Sequence, residues 1–554
     1  MTTRRPTTAP RPMTAPRPMT APRATPAPQV TSASPAAAAP RASAVPRPRR
    51  NGDGDAPGNL AAQLADLAER RGWAGRAAFH QGHRRFTHGE VHDLGARAAG
   101  VLADHGVRAG DRVLLALPDG LAWVAAFLGV ARLGAVAVLV NPELPAAEHA
   151  FMAEDTDAVL CLTGPGLEDR ENGQDRFAGR ARLGADELLA LAPAAEPAAV
   201  HPVDAHAPLY VQYTSGTTGR PKGVVHAHGD PKAYHDLIGR RLLGITEEDV
   251  TLSVSKLYFA YGFGNAFVFP LFSGSSAVLV DRRPTPAAVD ELVARHRVTL
   301  LYSVPSAYAA LVADRGSGHG DCFASVRAAV SAGEGLPDGL GVRVAELLGA
   351  PVLEQIGSTE AGHAFCANSP GHDRPGTVGR PVPGFEVELR DRAGRPVPDG
   401  AEGEMWVRGP TLTSGYLNRP EETARTLVGG WLATHDRARR EPDGSYRHLG
   451  RTDDMEMVGG ITVSPLEVEA VLRTRPAVRE VAVAAVTDGR GSSRLRAFVV
   501  PAGPVAAGLE DDLLALAREH LAAFKVPRSV SFVTSLPRTA TGKLRRHLVR
   551  QGAW

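Results

Sequence analysis

"SSAVLVDRRPTPAAVDELVARHRVTLLYSVPSAYAALVADRG", residues 275–316, decides the fold. A short apolar, β-branched run is followed by a stretch with apolar residues at helical spacing, then by a second apolar run and a second helical stretch. Such strand–helix–strand repetition implies parallel pairing, since parallel neighbours need a crossover connection and a helix supplies it. The alternation continues outward, from "DRVLLALP" at Asp111 to "VRAAVSAGE", "GLGVRVAELLG" and "PVLEQIGSTE". The class is α/β: a large N-terminal domain, 56–450, of parallel-rich sheets flanked by helices, where ligands collect at the carboxyl ends of the strands. After about residue 450 the texture changes. "SPLEVEAVLRTR", "VREVAVAAV", "RLRAFVVP", "EDDLLALAREHLAAF" and "RSVSFV" predict a small α+β C-terminal domain, 451–554, with "GRTDDMEMVGG" at the join.

At 554 residues the chain exceeds one hydrophobic core. Its net charge of +2 hides a split. The first fifty residues hold nine arginines and no acid, which leaves 53 basic against 60 acidic residues, a balance of −7, in the remainder. A mildly acidic body offers no nucleic-acid surface. Residues 1–55 repeat "TAPRPM" and contain almost no large apolar side chain, so they are expected to be a disordered basic tail, with Met13 or Met19 as alternative starts. Cys161, Cys322 and Cys366 fit no metal spacing and cannot all pair within the chain, which suits a reducing cytoplasm. "LAWVAAFLGVARLGAVAVLVNP", 121–142, has the length of a membrane span, but Arg132 and Gly134 divide it into a buried helix and a core strand; no membrane association is expected.

"VQYTSGTTGRPKGVVHAHG", 211–229, places a polar loop directly after an apolar strand. A Walker loop needs glycine before its lysine and a hydroxyl after it, whereas here Pro221 precedes Lys222 and Gly223 follows. What remains is a run of hydroxyls and backbone donors, Thr214, Ser215, Gly216, Thr217, Thr218 and Gly219, suited to wrapping a polyphosphate.

"YTSGTTGRPKG" (213–223), "IGSTEAG" (356–362), "GYLNRPEET" (415–423), "THD" (434–436), "GRTDD" (450–454) and "PRTATGK" (537–543) occur together in one order. Together they resemble the adenylate-forming superfamily of acyl- and aryl-CoA ligases, luciferases and peptide-synthetase adenylation domains. The resemblance implies that a carboxylate attacks the α-phosphorus of ATP, releasing pyrophosphate, and that a thiol then displaces AMP. It implies a triphosphate site at 214–219 with Lys222, and an ATP site completed by Gly333, Glu334, Gly335, Ile356, Gly357, Ser358, Asp436 at the ribose and Arg451. It assigns Thr359 to phosphate, Glu360 to Mg²⁺ and Lys543 to the bridge between acid and α-phosphate. By the same resemblance the small domain is mobile, pivoting at Asp453 within a hinge at 451–454, with Gly459 and Gly460 beside the pantetheine arm. The family's T-G-D reads Thr434-His435-Asp436 here, so the backbone shape of that loop is not given by the resemblance.

"KLYFAYGFGNAFVFPLFSGSSAVLV" and "IGSTEAGHAF" look most like benzoate-CoA ligases. Carried over, the acid pocket comprises Ala260, Tyr261, Ala332, Gly357, His363 and Ala364, with Tyr261 and His363 either orienting the acid or only packing. The expectation is a benzoate-CoA ligase acting on a small aromatic carboxylic acid, with ATP, Mg²⁺ and coenzyme A, as monomer or homodimer. The alternatives are a stand-alone enzyme loading a hydroxy- or aminobenzoate, or another small acid, onto an acyl carrier protein, and a non-catalytic binding protein. Degradative and biosynthetic roles, including antibiotic or secondary metabolite biosynthesis, stay open.

Overall fold

The computed structural model describes residues 58–554, except 168–169, 172–173, 215–220, 315–321, 338, 455, 459–460, 488–492, 522, 539–543 and 553–554. The tail, residues 215–219, Gly459, Gly460 and Lys543 therefore lie outside the described residues. Segment 275–314 folds as read: strands Ser276–Leu279 and Leu300–Ser303 alternate with helices Pro286–His296 and Pro305–Ala313. The first helix starts where Thr285 accepts from the Ala288 amide and a proline fills the first helical position.

A nine-stranded sheet has six neighbouring parallel strands: Val352–Gly357, Ala328–Ser331, Leu300–Ser303, Val250–Ser253, Ser276–Leu279 and Ala77–Gln81. A seven-stranded sheet has five parallel strands, from Pro208–Thr214 through Val136–Leu139, Arg112–Ala116 and Leu160–Thr163 to Ala181–Gly184. Helix Leu121–Arg132 is buried over most of its length, and strand Val136–Leu139 follows it after Gly134 at φ +67°. The Arg132 guanidinium donates to the Ala198 carbonyl at 2.6 Å, so the would-be span is a core helix with its charge satisfied. Among the described residues no helix is long and apolar enough to cross a membrane.

Trp123 and Phe127 of that helix pack against Phe263 and Phe267 at centroid distances of 5.0–6.1 Å. Those phenylalanines belong to Ala260–Phe263, Gly264–Val268 and Phe269–Ser273, which run on as one helix with a widened π-type turn, a distortion common at functional sites. The aromatic cluster thus anchors the element that carries Ala260 and Tyr261.

A third sheet is antiparallel and has no counterpart in the strand–helix alternation. Glu386–Arg390, Glu402–Arg408 and Trp431–Arg440 pair in order, and Tyr446–Arg451 pairs on Trp431–Arg440. The smaller C-terminal unit has its own core around Val468, Leu472, Val483, Val499 and Leu513, beneath the sheet Val478–Thr487, Ser493–Pro501 and Ser529–Phe532.

Candidate active site

Strands Pro208–Thr214 and Lys222–Ala227 pair antiparallel, with Thr214 opposite Lys222. The strand Gly415–Tyr416 adds to the outer edge, opposite Val224 and Val225. This brings two quoted motifs together. Lys222 Nζ lies 2.9 Å from Glu422 Oε2 and 5.4 Å from the Tyr416 ring centre. The Tyr416 hydroxyl donates to Glu360 Oε1 at 2.9 Å; burial, then the Glu360 charge, hold that phenol protonated. Gly415 is required where it stands, since its φ is +141° and a Cβ would meet Thr423 Cγ2 at 2.7 Å.

Strand Val352–Gly357 ends at Ile356 and Gly357, and the chain returns as the antiparallel strand Ala364–Ala367, with Ile356 opposite Cys366 and Gly357 opposite Ala364. Gly357 permits this return, because a Cβ there would lie 2.4 Å from the His363 carbonyl. Ser358, Thr359 and Glu360 occupy the loop between. Three successive carbonyls hold it: His226 Nε2 lies 2.6 Å from the Thr359 carbonyl, the Thr413 amide donates to Glu360 at 2.7 Å, and Thr411 Oγ1 donates to Ala361 at 2.7 Å. His226 is itself held by Asp230, 3.0 Å from Nδ1. His226, Thr411, Thr413 and Tyr416 were not singled out from the sequence; each acts through neighbours that only the fold supplies.

Asp436 and Arg451 stand opposite each other on adjacent antiparallel strands. Asp436 is buried, its amide donates to Thr434 Oγ1 at 3.0 Å, and Oδ1 lies 3.1 Å from His448 Nε2. His435 sits at φ +61°, so the loop keeps the left-handed shape that glycine adopts most easily, with Nδ1 3.1 Å from Glu404. Ala332, Gly333, Glu334 and Gly335 follow strand Ala328–Ser331, whose end lies beside Val352–Gly357 with Ser331 opposite Glu354. Arg538, at the base of the segment 539–543, lies 3.9 Å from Glu334 and 2.6 Å from Glu480. Asp453 lies in the single 3₁₀ turn Thr452–Asp454, directly after strand Tyr446–Arg451.

Among the residues expected at the acid, the Tyr261 hydroxyl donates to the Val330 carbonyl at 3.0 Å and its ring centre lies 5.9 Å from that of His363. His363 is a packed residue. Its ring lies between Tyr234 at 5.7 Å and Phe269 at 5.1 Å, Nε2 is 3.1 Å from Asn265 Oδ1, and burial pushes its pKa down to about 3, so it is neutral. Gly264 makes room for it: a Cβ there would lie 2.3 Å from the ring. Ala332 and Ala364 are buried small residues, Ala332 directly after strand Ala328–Ser331 and Ala364 opening strand Ala364–Ala367, with strand Val352–Gly357 between the two strands. Gln355 and Asn265, buried beside Tyr261 and His363, were not singled out, since a lone amide in an apolar run carries no sequence signal.

The chain matches the AMP-binding enzyme family over residues 67–417 and the AMP-binding enzyme C-terminal domain over 467–543. It is 40% identical over 501 residues to the p-hydroxybenzoic acid–AMP ligase FadD22 of Mycobacterium tuberculosis, covering 89% of this chain and 69% of that one. It is 36% identical over 509 residues to a 4-hydroxybenzoate–CoA/benzoate–CoA ligase of Rhodopseudomonas palustris, covering 89% and 94%. A solved benzoate CoA ligase from Burkholderia xenovorans matches with a TM-score of 0.82 at 36% identity, over 89% of this chain and 99% of that one. The chain belongs to the AMP-binding enzyme family and is an ATP-using, adenylate-forming acid–thiol ligase.

Proposed function

We propose that the acid is a small aromatic carboxylate of the benzoate type, activated as its adenylate and passed to coenzyme A. The observation that carries this reading is that two small residues, Gly357 and Ala364, stand opposite each other with the Thr359–Glu360 loop between them, while the Tyr261 hydroxyl bonds to Val330, two residues before the buried Ala332. Relatives named for benzoate and hydroxybenzoates support it.

The chemistry brings two anions together, so donors and positive charge must be oriented before reaction. Residues 214–219 present hydroxyls and amides to the β- and γ-phosphates, with Lys222 at the loop's far end. The Asp436 carboxylate accepts from the ribose hydroxyls, and Arg451, opposite it, faces ribose and phosphate. The segment Gly333–Gly335 and Ile356 pack on the adenine. Lys543 neutralises the approaching carboxylate and α-phosphate, and the Arg538–Glu334 contact supports an arrangement in which its segment meets the ATP site. Glu360 fits a hard cation: it presents carboxylate oxygen, and among the described residues no group of three His, Cys, Asp or Glu could hold a metal alone. Glu360 would hold Mg²⁺, which would supply charge neutralisation for the phosphates. We place the domain boundary at 451 and the pivot at Asp453, where the 3₁₀ turn follows the last strand of the antiparallel sheet. Gly459 and Gly460 then admit the thiol's pantetheine arm. Cys161 and Cys366, free and buried, suit a reducing cytoplasm.

A second reading is transfer to a carrier protein. It is favoured by the 40% identical relative, which is named an acid–AMP ligase. Acid-dependent ATP–pyrophosphate exchange over benzoates, cinnamates and short fatty acids tests the acid class: exchange with benzoates supports the proposal, and exchange only with aliphatic acids refutes it. Offering the active acid with coenzyme A and, separately, with a phosphopantetheinylated carrier then decides the acceptor.

A further inference from the structure

Away from the residues expected at acid and ATP, helices Pro286–His296 and Pro305–Ala313 enclose a cavity of about 130 Å³ against the nine-stranded sheet. It lies on the outer face of that sheet. Leu301 and Ser303 line it, whereas the alternate residues Leu300 and Tyr302 turn to the other side, into the core that contains Phe263, and Tyr302 packs on Tyr261 with ring centres 6.0 Å apart. Strand Leu300–Ser303 therefore separates the cavity from Tyr261.

The walls are divided by chemistry. Val289, Leu301 and Leu311, all buried, supply the apolar part. Arg283, Ser303 and Ser306 line the cavity from the carboxyl ends of the strands, the end at which open α/β sheets take their ligands. The Arg283 guanidinium donates to Ser306 Oγ at 3.3 Å, a neutral partner, while the neighbouring Arg282, which does not line the cavity, has Asp281 at 3.9 Å. The loop that carries Arg283 is fixed from beneath. The buried Lys256 ammonium donates to the carbonyls of Val280 at 2.5 Å and Arg282 at 2.8 Å, and Pro284 and Pro286 stiffen the chain that follows. The guanidinium is thus presented from a rigid support.

An apolar cavity of about 150 Å³ holds benzene, so 130 Å³ suits one ring or a chain of similar bulk. A guanidinium is matched by a carboxylate, whose two oxygens can accept from its paired N–H groups. We propose that this cavity is a second, non-catalytic site for a small apolar carboxylate, with the ring or chain among Val289, Leu301 and Leu311 and the carboxylate on Arg283. The proposal does not depend on which acid the enzyme activates.

Equilibrium dialysis of the full chain against radiolabelled benzoate, up to millimolar concentration, counts the bound acid, and a thermal melt checks that each protein is folded. The parent should bind one equivalent more than Arg283→Gln, which removes the charge, and one more than Ala307→Phe, which fills the cavity from its helical wall. Any residual binding at this site should be at least about tenfold weaker, as expected when a charge-assisted pair is lost. Arg282→Gln should bind as the parent does, and neutral benzamide should not displace the extra equivalent. Arg283 is exposed, so its variant decides the matter if Ala307→Phe does not fold. Equal binding by the parent and Arg283→Gln, an equal loss in Arg282→Gln, or displacement by benzamide as effective as by unlabelled benzoate overturns the proposal. Should the catalytic site take no benzoate, the parent binds one equivalent and Arg283→Gln none, so failure of the benzoate reading is distinguished from failure of this one.

Discussion

Replacing Asp436 by asparagine isolates one carboxylate's part in holding ATP. The change preserves shape. An asparagine Oδ1 can still accept from His448 Nε2, 3.1 Å away, and the bond from the residue-436 amide to Thr434 Oγ1 does not involve the side chain. The fold and the pairing with Arg451 should survive, so the melting temperature should not move. What is lost is the anionic acceptor for the ribose hydroxyls. Hydrogen bonds to a charged group contribute about 1.5–3 kcal/mol each, and a buried site screens them little. Loss of one such bond corresponds to about a 10- to 150-fold rise in the KM for ATP, at about 1.4 kcal/mol per decade. The assay is pyrophosphate exchange at saturating acid over a wide ATP range, with a thermal melt of each protein. A KM for ATP within twofold of the parent in a protein of unchanged melting temperature would remove Asp436 from the nucleotide site.

Burial holds His88 and His228 near pKa 4, and His92 and His363 near 3, against an ordinary value of 6.5. The unfolded chain therefore takes up protons first, so stability should be full above about pH 6.5 and fall by about 1.4 kcal/mol per pH unit per histidine down to the folded values. Melting temperatures at pH 7.5, 6 and 5 check this, and constancy across that range would contradict it. A chain starting at Gly52 should keep the parent melting temperature and turnover, whereas Asn59→Ala in that chain should lose about 2–4 kcal/mol, measured by urea unfolding. Asn59 caps helix Leu60–Arg70, and its amide nitrogen donates to the carbonyls of Ala131, Arg132 and His201 at 2.8–3.2 Å.

The parallel sheets were legible because their strands are buried on both faces and read as continuous apolar runs between amphipathic helices. The third sheet was not. Strands such as "EGEMWVR" and "WLATHDRARR" mix charge with apolar residues, and their pairing passes through bulges between Glu404 and Trp406 and between Arg437 and Ala438. The opposition of Asp436 and Arg451, fifteen residues apart, depends on that pairing. Motifs located Glu360 and Lys222, but not the Tyr416 hydroxyl and the Glu422 carboxylate beside them, although both lie inside the quoted "GYLNRPEET". Their partners are set by an edge strand joining strand Lys222–Ala227 from 190 residues away in sequence. Gln355 and Asn265 were illegible for a different reason: what distinguishes them is burial beside Tyr261 and His363, a property of the packed state.

The central claim is that Lys543 serves the meeting of two anions and nothing afterwards. Lys543→Ala tests it when each half-reaction is fed separately, first acid with ATP and then synthetic aryl adenylate with the acceptor thiol. Removing one preorganised charge typically costs about 10²–10³ in rate. The account predicts a loss of that size in adenylate formation, with thioester formation from supplied adenylate close to the parent rate. Equal loss of both half-reactions in a folded protein, or loss of neither, would contradict it.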